Sequence, residues 1–143
     1  LAAGDITVAI TVSGTLVDGN AIAGFGESKV FSSVADVREM TITLPATTLV
    51  TLLAIGATVS GQTLLSALQH LTLYNMDATA NVRVGFLAAN GAQYLRLDAG
   101  EMFSTMSDQL EAFAGETAFS AFETITSITL YASAACKIKA IAF

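Results

Sequence analysis

Residues 5–12 set the pattern for the whole chain. Ile6, Val8, Ile10 and Val12 fall on one side of a two-residue period, with Thr7, Ala9 and Thr11 on the other, as in a half-buried strand. Gly14 and Asp18-Gly19-Asn20 supply turn chemistry after it, and 29–34 is a weaker strand candidate. The clean alternation returns at Arg38–Leu44, where Met40, Ile42 and Leu44 oppose Thr41 and Thr43 until Pro45 ends the run. The Thr- and Val-rich stretch 47–55 reads as a strand, although period alone does not separate it from a short helix. A loop at 56–62, one helical turn at 63–69 and a strand at 70–74 follow, then a loop at 75–81.

In the second half, Val82, Val84 and Phe86 alternate with Arg83, Gly85 and Leu87. Ala89-Asn90-Gly91 turns the chain into a partner strand at 93–97, since Asn-Gly between alternating segments is a strong hairpin signal. Asp98-Ala99-Gly100-Glu101 closes this hairpin. Residues 106–114 suit a short helix or long loop, broken at Gly115, and two strands at 123–132 and 136–143 finish the chain. The sum is an all-β chain of about eight strands with one or two short helical turns, the pattern of a sandwich or barrel, and an antiparallel β-sandwich is expected. No repeat, low-complexity tract or Pro-rich linker divides it, so a single sandwich domain over 1–143 is expected.

Composition changes the picture in one respect. Apolar residues make up 53% and charged residues 13%, against roughly 45–50% and roughly 25% in ordinary soluble domains. A small domain with so few ionic groups has apolar surface left over, and burial against neighbouring subunits would remove it from water. The net charge of −6 and six scattered basic residues exclude a phosphate-tracking surface, so no nucleic-acid partner is expected. The most apolar stretch, 49–59, is interrupted by Thr51, Gly56 and Thr58 and is shorter than the roughly 20 residues of a spanning helix. No transmembrane helix and no membrane partner are expected.

Candidate chemistry is sparse. His70 is the sole histidine and sits in a strand, with no G-x-S-x-G elbow in the chain, so a buried or interface role is preferred to a catalytic one. Cys136 is the sole cysteine, which rules out an intrachain disulfide, and its alternating strand suits a small hydrophobe better than a reactive thiol. Asn75, Asp77, Thr79 and Asn81 space oxygens as a calcium loop begins, but Ala80 and Phe86 stand where such a loop needs Gly and Glu. A turn held by Asx side chains explains them equally. Without Trp and with three Tyr, a sugar-binding aromatic platform is poorly supplied. No enzyme activity, cofactor or metal is therefore expected. Among the phenylalanines of the least regular region, Phe119 and Phe122 are assigned to the core, whereas Phe103 and Phe113 stay open between core and contact.

The segment 71–102, L-T-L-Y-N-M-D-A-T-A-N-V-R-V-G-F and then N-G-A-Q-Y-L-R-L-D-A-G-E-M, resembles small β-sandwich decoration or cement proteins of tailed-phage heads. The likeness lies in the order: a strand ending in Asn, a polar loop, a V-x-V-G strand, a hairpin, then L-x-L-x-x-G-E. It implies a jelly-roll-like domain on the capsid surface of a virion that associates with itself as a trimer or dimer, the trimer favoured, and reinforces contacts between major capsid protein subunits. Candidate contact residues are Leu1, Ala2 and Ala3 in the N-terminal arm, Met102, Phe103, Met106 and Phe113 in the segment after the hairpin, and Ile141 and Phe143 in the terminal strand. Two alternatives stand beside this. An outer-membrane β-barrel protein would also explain the low charge and the final alternating K-I-K-A-I-A-F, but spanning strands need roughly 9–11 residues and paired aromatic girdles. An adhesin or carbohydrate-binding β-sandwich would show clustered aromatic and polar groups on one face.

Overall fold

The computed structural model describes residues 4–56, 64–111, 119 and 121–143. Among these residues there is no helix, and the strands are β1 (Gly4–Val12), β2 (Phe25–Val34), β3 (Arg38–Leu44), β4 (Leu49–Ile55), β5 (Leu64–Leu65), β6 (Leu71–Asn75), β7 (Val82–Ala88), β8 (Gly91–Leu97), β9 (Met102–Thr105), β10 (Gln109–Leu110), β11 (Glu123–Thr124), β12 (Ser127–Ala132) and β13 (Cys136–Ala142). The chain divides into two compact units, residues 1–36 and 37–143. The all-β sandwich expected from the sequence is present, and it is built within the second unit.

Two sheets make up that sandwich, one in the order β5-β4-β12-β7-β8 and the other β3-β13-β6-β9. Setting aside the two-residue β5, each sheet has four strands, and the chain changes sheet at every connection between long strands except the β7–β8 hairpin and its passage from β9 through the short β10–β11 pair is again a change. Eight strands wound in this way form a jelly roll. Pairing is antiparallel throughout both sheets apart from β5, which runs parallel to the end of β4.

Alternation decides what each strand buries. Along β13, Cys136, Ile138, Ala140 and Ala142 point inward while Lys137 and Lys139 are exposed, and Leu71 and Leu73 of β6 face inward beside them. Val82, Val84 and Phe86 of β7, with Ile128, Leu130 and Ala132 of β12, close the core from the other sheet. At β4 the alternation fails because the register against β12 shifts between Ile128 and Thr129. The extra residue lets Leu52 and Leu53 both enter the core. Pro45 ends β3, and Thr47 at φ 49° with its N–H on the Ala132 carbonyl (2.9 Å) carries the chain to the opposite sheet.

Several expectations need correction. The helical turn proposed at 63–69 is absent: Leu64–Leu65 pair with Ala54 and Ile55, and 66–69 bend without helix. The possible helix at 106–114 is loop and β10 as far as residue 111, with the rest outside the described residues. β9 lies in a stretch for which no strand was expected. Phe119 and Phe122 are not core residues: they are 66% and 64% exposed and pack on each other at 4.9 Å.

The first unit is a β-hairpin in which β1 and β2 pair from Gly4↔Val34 to Val12↔Phe25. A bulge near its open end is pinned by Ser33 at φ 58°, whose N–H donates to the Asp5 carboxylate (3.2 Å).

The 75–81 loop is held by its own side chains. Asn75 is fully buried and donates from Nδ2 to the carbonyls of Ala80 (2.9 Å) and Leu97 (3.3 Å), while its Oδ1 accepts the Asp77 N–H (3.1 Å). Asp77 accepts the N–H groups of Thr79 and Ala80, which lowers its pKa from the ordinary carboxylate value. Asn75→Ala strips two buried carbonyls of their donor and is expected to cost on the order of 3 kcal/mol, measured by chemical denaturation, with Asn75→Asp no better tolerated.

Candidate interaction surfaces

The outer face of the β3-β13-β6-β9 sheet carries a groove of about 570 Å³. Strand registry explains it. Thr41, Lys139, Tyr74 and Met102 form one row across the four strands, and Glu39, Ile141, Thr72 and Ser104 form the next. All but Ser104 line the groove. Met102 is 74% exposed, so one side is a flexible apolar side chain standing in water, whereas Lys139 puts a cation in the middle of the row. Two of the contact residues expected from sequence, Met102 and Ile141, thus lie together in one groove, joined by Tyr74 and Lys139, which the sequence reading did not single out.

From the second row a short polar chain leads to a buried imidazole. His70 is buried, its ring stacks on Phe143 at 5.1 Å, and its Nε2 lies 2.7 Å from the Thr72 hydroxyl, which is 3.1 Å from the Ser104 hydroxyl. A hydroxyl within reach of an imidazole has the first ingredient of an activated nucleophile. Thr72, however, lies in mid-strand, where the backbone around it is committed to ladders with β9 and β13. The β6 entry is tied to residue 143 by backbone bonds: the Phe143 carbonyl accepts the N–H groups of Gln69 (2.7 Å) and His70 (2.9 Å).

The opposite outer face presents a platform. Arg83 lies over the rings of Tyr94 (4.8 Å) and Tyr131 (5.3 Å). Gly85 makes this possible, because a Cβ there would fall 2.6 Å from the Thr129 hydroxyl oxygen and 2.9 Å from the Tyr94 ring. Tyr and Arg are the residue types that most often anchor protein contacts.

The remaining expected contact residues fall elsewhere. Phe143 is corrected: it is 3% exposed and stacked on His70, so it offers little to a neighbour. Phe103 also faces inward, packing on Phe86 at 5.6 Å beside a smaller cleft of about 160 Å³. Met106 is half-buried, and Leu1, Ala2, Ala3 and Phe113 lie outside the described residues. Among the described residues no group of three His, Cys, Asp or Glu side chains is placed to hold a metal. Cys136 is buried, and desolvation, with the Asp77 charge adding to it, pushes its thiol pKa up. That favours the unreactive protonated form.

A third surface belongs to the hairpin unit. Ile10, Val12, Leu16, Val17, Ile22 and Phe25 are all more than a third exposed, and Val17 fully so. Comparison with protein-family models, curated proteins and solved structures gives no match.

Two outcomes test these assignments. Burial holds the His70 pKa below its ordinary 6.5. The unfolded chain then binds more protons, so stability from a neutral His70 is complete above that value and is lost as pH falls below it. Melting temperature should drop between about pH 7 and pH 5, and the slope should flatten in His70→Phe. Gly85→Ala should cost about 1–3 kcal/mol by overpacking, part of it recovered when Tyr94→Ala is added.

Proposed function

We propose that this protein is a structural component of a tailed-phage virion, decorating or reinforcing the capsid through contacts with its own copies and with the major capsid protein. It works without catalysis: a rigid jelly roll presents surfaces, and many modest contacts add up through symmetry. The observation that carries association is the hairpin unit, which holds six exposed apolar side chains between Ile10 and Phe25. A two-stranded hairpin is marginally stable in water, so such a unit gains order when another protein covers it. The phage head as the setting rests on the resemblance of residues 71–102, which span β6 to the start of β9. The trimer rests on the same resemblance.

The other readings receive less support. A lipid-embedded barrel needs a closed sheet with an apolar exterior, whereas these two sheets are open and their outward rows carry Lys137, Lys139, Arg83, Arg96 and threonines. For the carbohydrate-binding alternative the Tyr94–Arg83–Tyr131 platform is the relevant feature. There the guanidinium lies over both rings and competes with a sugar for them.

Sedimentation of the purified chain in detergent-free buffer at tens of micromolar should show an oligomer, with three copies expected. A stable monomer under those conditions overturns the self-association on which the proposal depends.

A further inference from the structure

The end of the hairpin and the groove on the β3-β13-β6-β9 face have matching chemistry. At the hairpin end, Leu16 and Val17 stand exposed beside Asp18. This turn is ordered by its own hydrogen bonds: Leu16 N–H to the Asn20 carbonyl (2.7 Å), Gly19 N–H to the Leu16 carbonyl (2.9 Å), and both the N–H and the amide of Asn20 to the Asp18 carboxylate (3.0 Å each). An apolar pair and an adjacent anion are thereby held in fixed relation before any partner arrives, which reduces the ordering cost of binding. The groove offers the counterpart: Met102, Tyr74 and Ile141 line it with Lys139, and Glu39 stands in the neighbouring row on the β3 side. Lys139 takes part in no ion pair among the described residues. In a chain with twelve acidic and six basic residues, a lysine beside Tyr74 and Met102 is a specific feature, and Glu39 on its β3 side directs an incoming anion to the Tyr74 side.

We propose that the Leu16–Val17–Asp18 turn of one copy seats in this groove on a second copy, with Asp18 against Lys139. The inference rests on the self-association proposed above and names its contact. Turn and groove are different surfaces, so the contact is head-to-tail, and it yields a ring when the rotation between copies closes. Burial of Leu16, Val17 and Met102 supplies the apolar drive, and the charge pair sets orientation and rejects misdocked registers.

The test is a charge exchange read by sedimentation equilibrium, with circular dichroism checking the fold of each variant. It is placed at Val17, because Asp18 holds the turn. Val17→Lys and Lys139→Glu should each weaken association by about tenfold or more, and the combination should bind more tightly than either alone, because the introduced lysine then faces the introduced carboxylate. Met102→Asp, on an exposed side chain, should weaken it as well. If the native protein associates but none of these variants changes its dissociation constant, the turn-in-groove contact is wrong while self-association stands. If the native protein is monomeric, self-association fails and this contact with it. If the variants self-associate normally but lose binding to phage capsids, the occupant is the shell and the second-copy assignment is overturned.

Discussion

The inward burial of one side of every long strand in the second unit is the constraint on which the rest of the structure depends. Leu130 and Ile138, from strands in different sheets, are wholly removed from water, as are Leu71, Leu73, Val82, Val84 and Ile128. Each fully buried side chain of this kind contributes roughly 1.5–3 kcal/mol. Because the side-chain period is two, a slip of one residue in any strand would exchange this row for Lys, Thr or Arg, so the core also fixes the register. Register in turn builds the outer faces. Thr41, Lys139, Tyr74 and Met102 share a row only because Ile42, Ile138, Leu73 and Phe103 beside them are turned inward.

That dependence explains what could be read along the chain. β3 and β13 were legible because one face of each is buried and the other wet, as Met40, Ile42 and Leu44 against Thr41 and Thr43 make plain. The β7–β8 hairpin was legible through its local turn. Illegible elements are those whose residues answer to a partner. β4 breaks its alternation at Leu52 and Leu53 because of a bulge against β12. β9 has four residues, too few for a period, and exists by pairing with β6. β2 starts at Phe25, earlier than its own pattern suggests, because β1 extends opposite it. Phe119 and Phe122 looked like core by residue type alone; their exposure reflects their place outside both sheets.

The groove was legible only in fragments. Sequence singles out Met102 and Ile141 only as members of the segment after the hairpin and of the terminal strand, which is a weak signal. Tyr74 and Lys139 enter through sheet order, a relation between positions about 65 residues apart that no local pattern carries. The same holds for the platform. Arg83 and Tyr94 belong to one hairpin and could be placed side by side from its turn, whereas Tyr131 joins them only through the pairing of β12 with β7.

The two units meet the shortage of charge differently. The jelly roll has enough chain to make two sheets, so its apolar residues can be hidden between them and its few charges spread over the outer rows. The hairpin has one layer, and no second layer within its own unit can cover Ile10, Val12 and Phe25. What holds its shape is polar and local: the Asp5–Ser33 contact at the bulge and the Asp18–Asn20 contacts at the turn. Such contacts define a conformation yet contribute little burial, since hydrogen bonds exposed to water are worth on the order of 1 kcal/mol or less each. A segment shaped by its turns and left apolar on its surface has the chemistry that a sheet face on another molecule would cover, and that is the layer the proposed contact supplies.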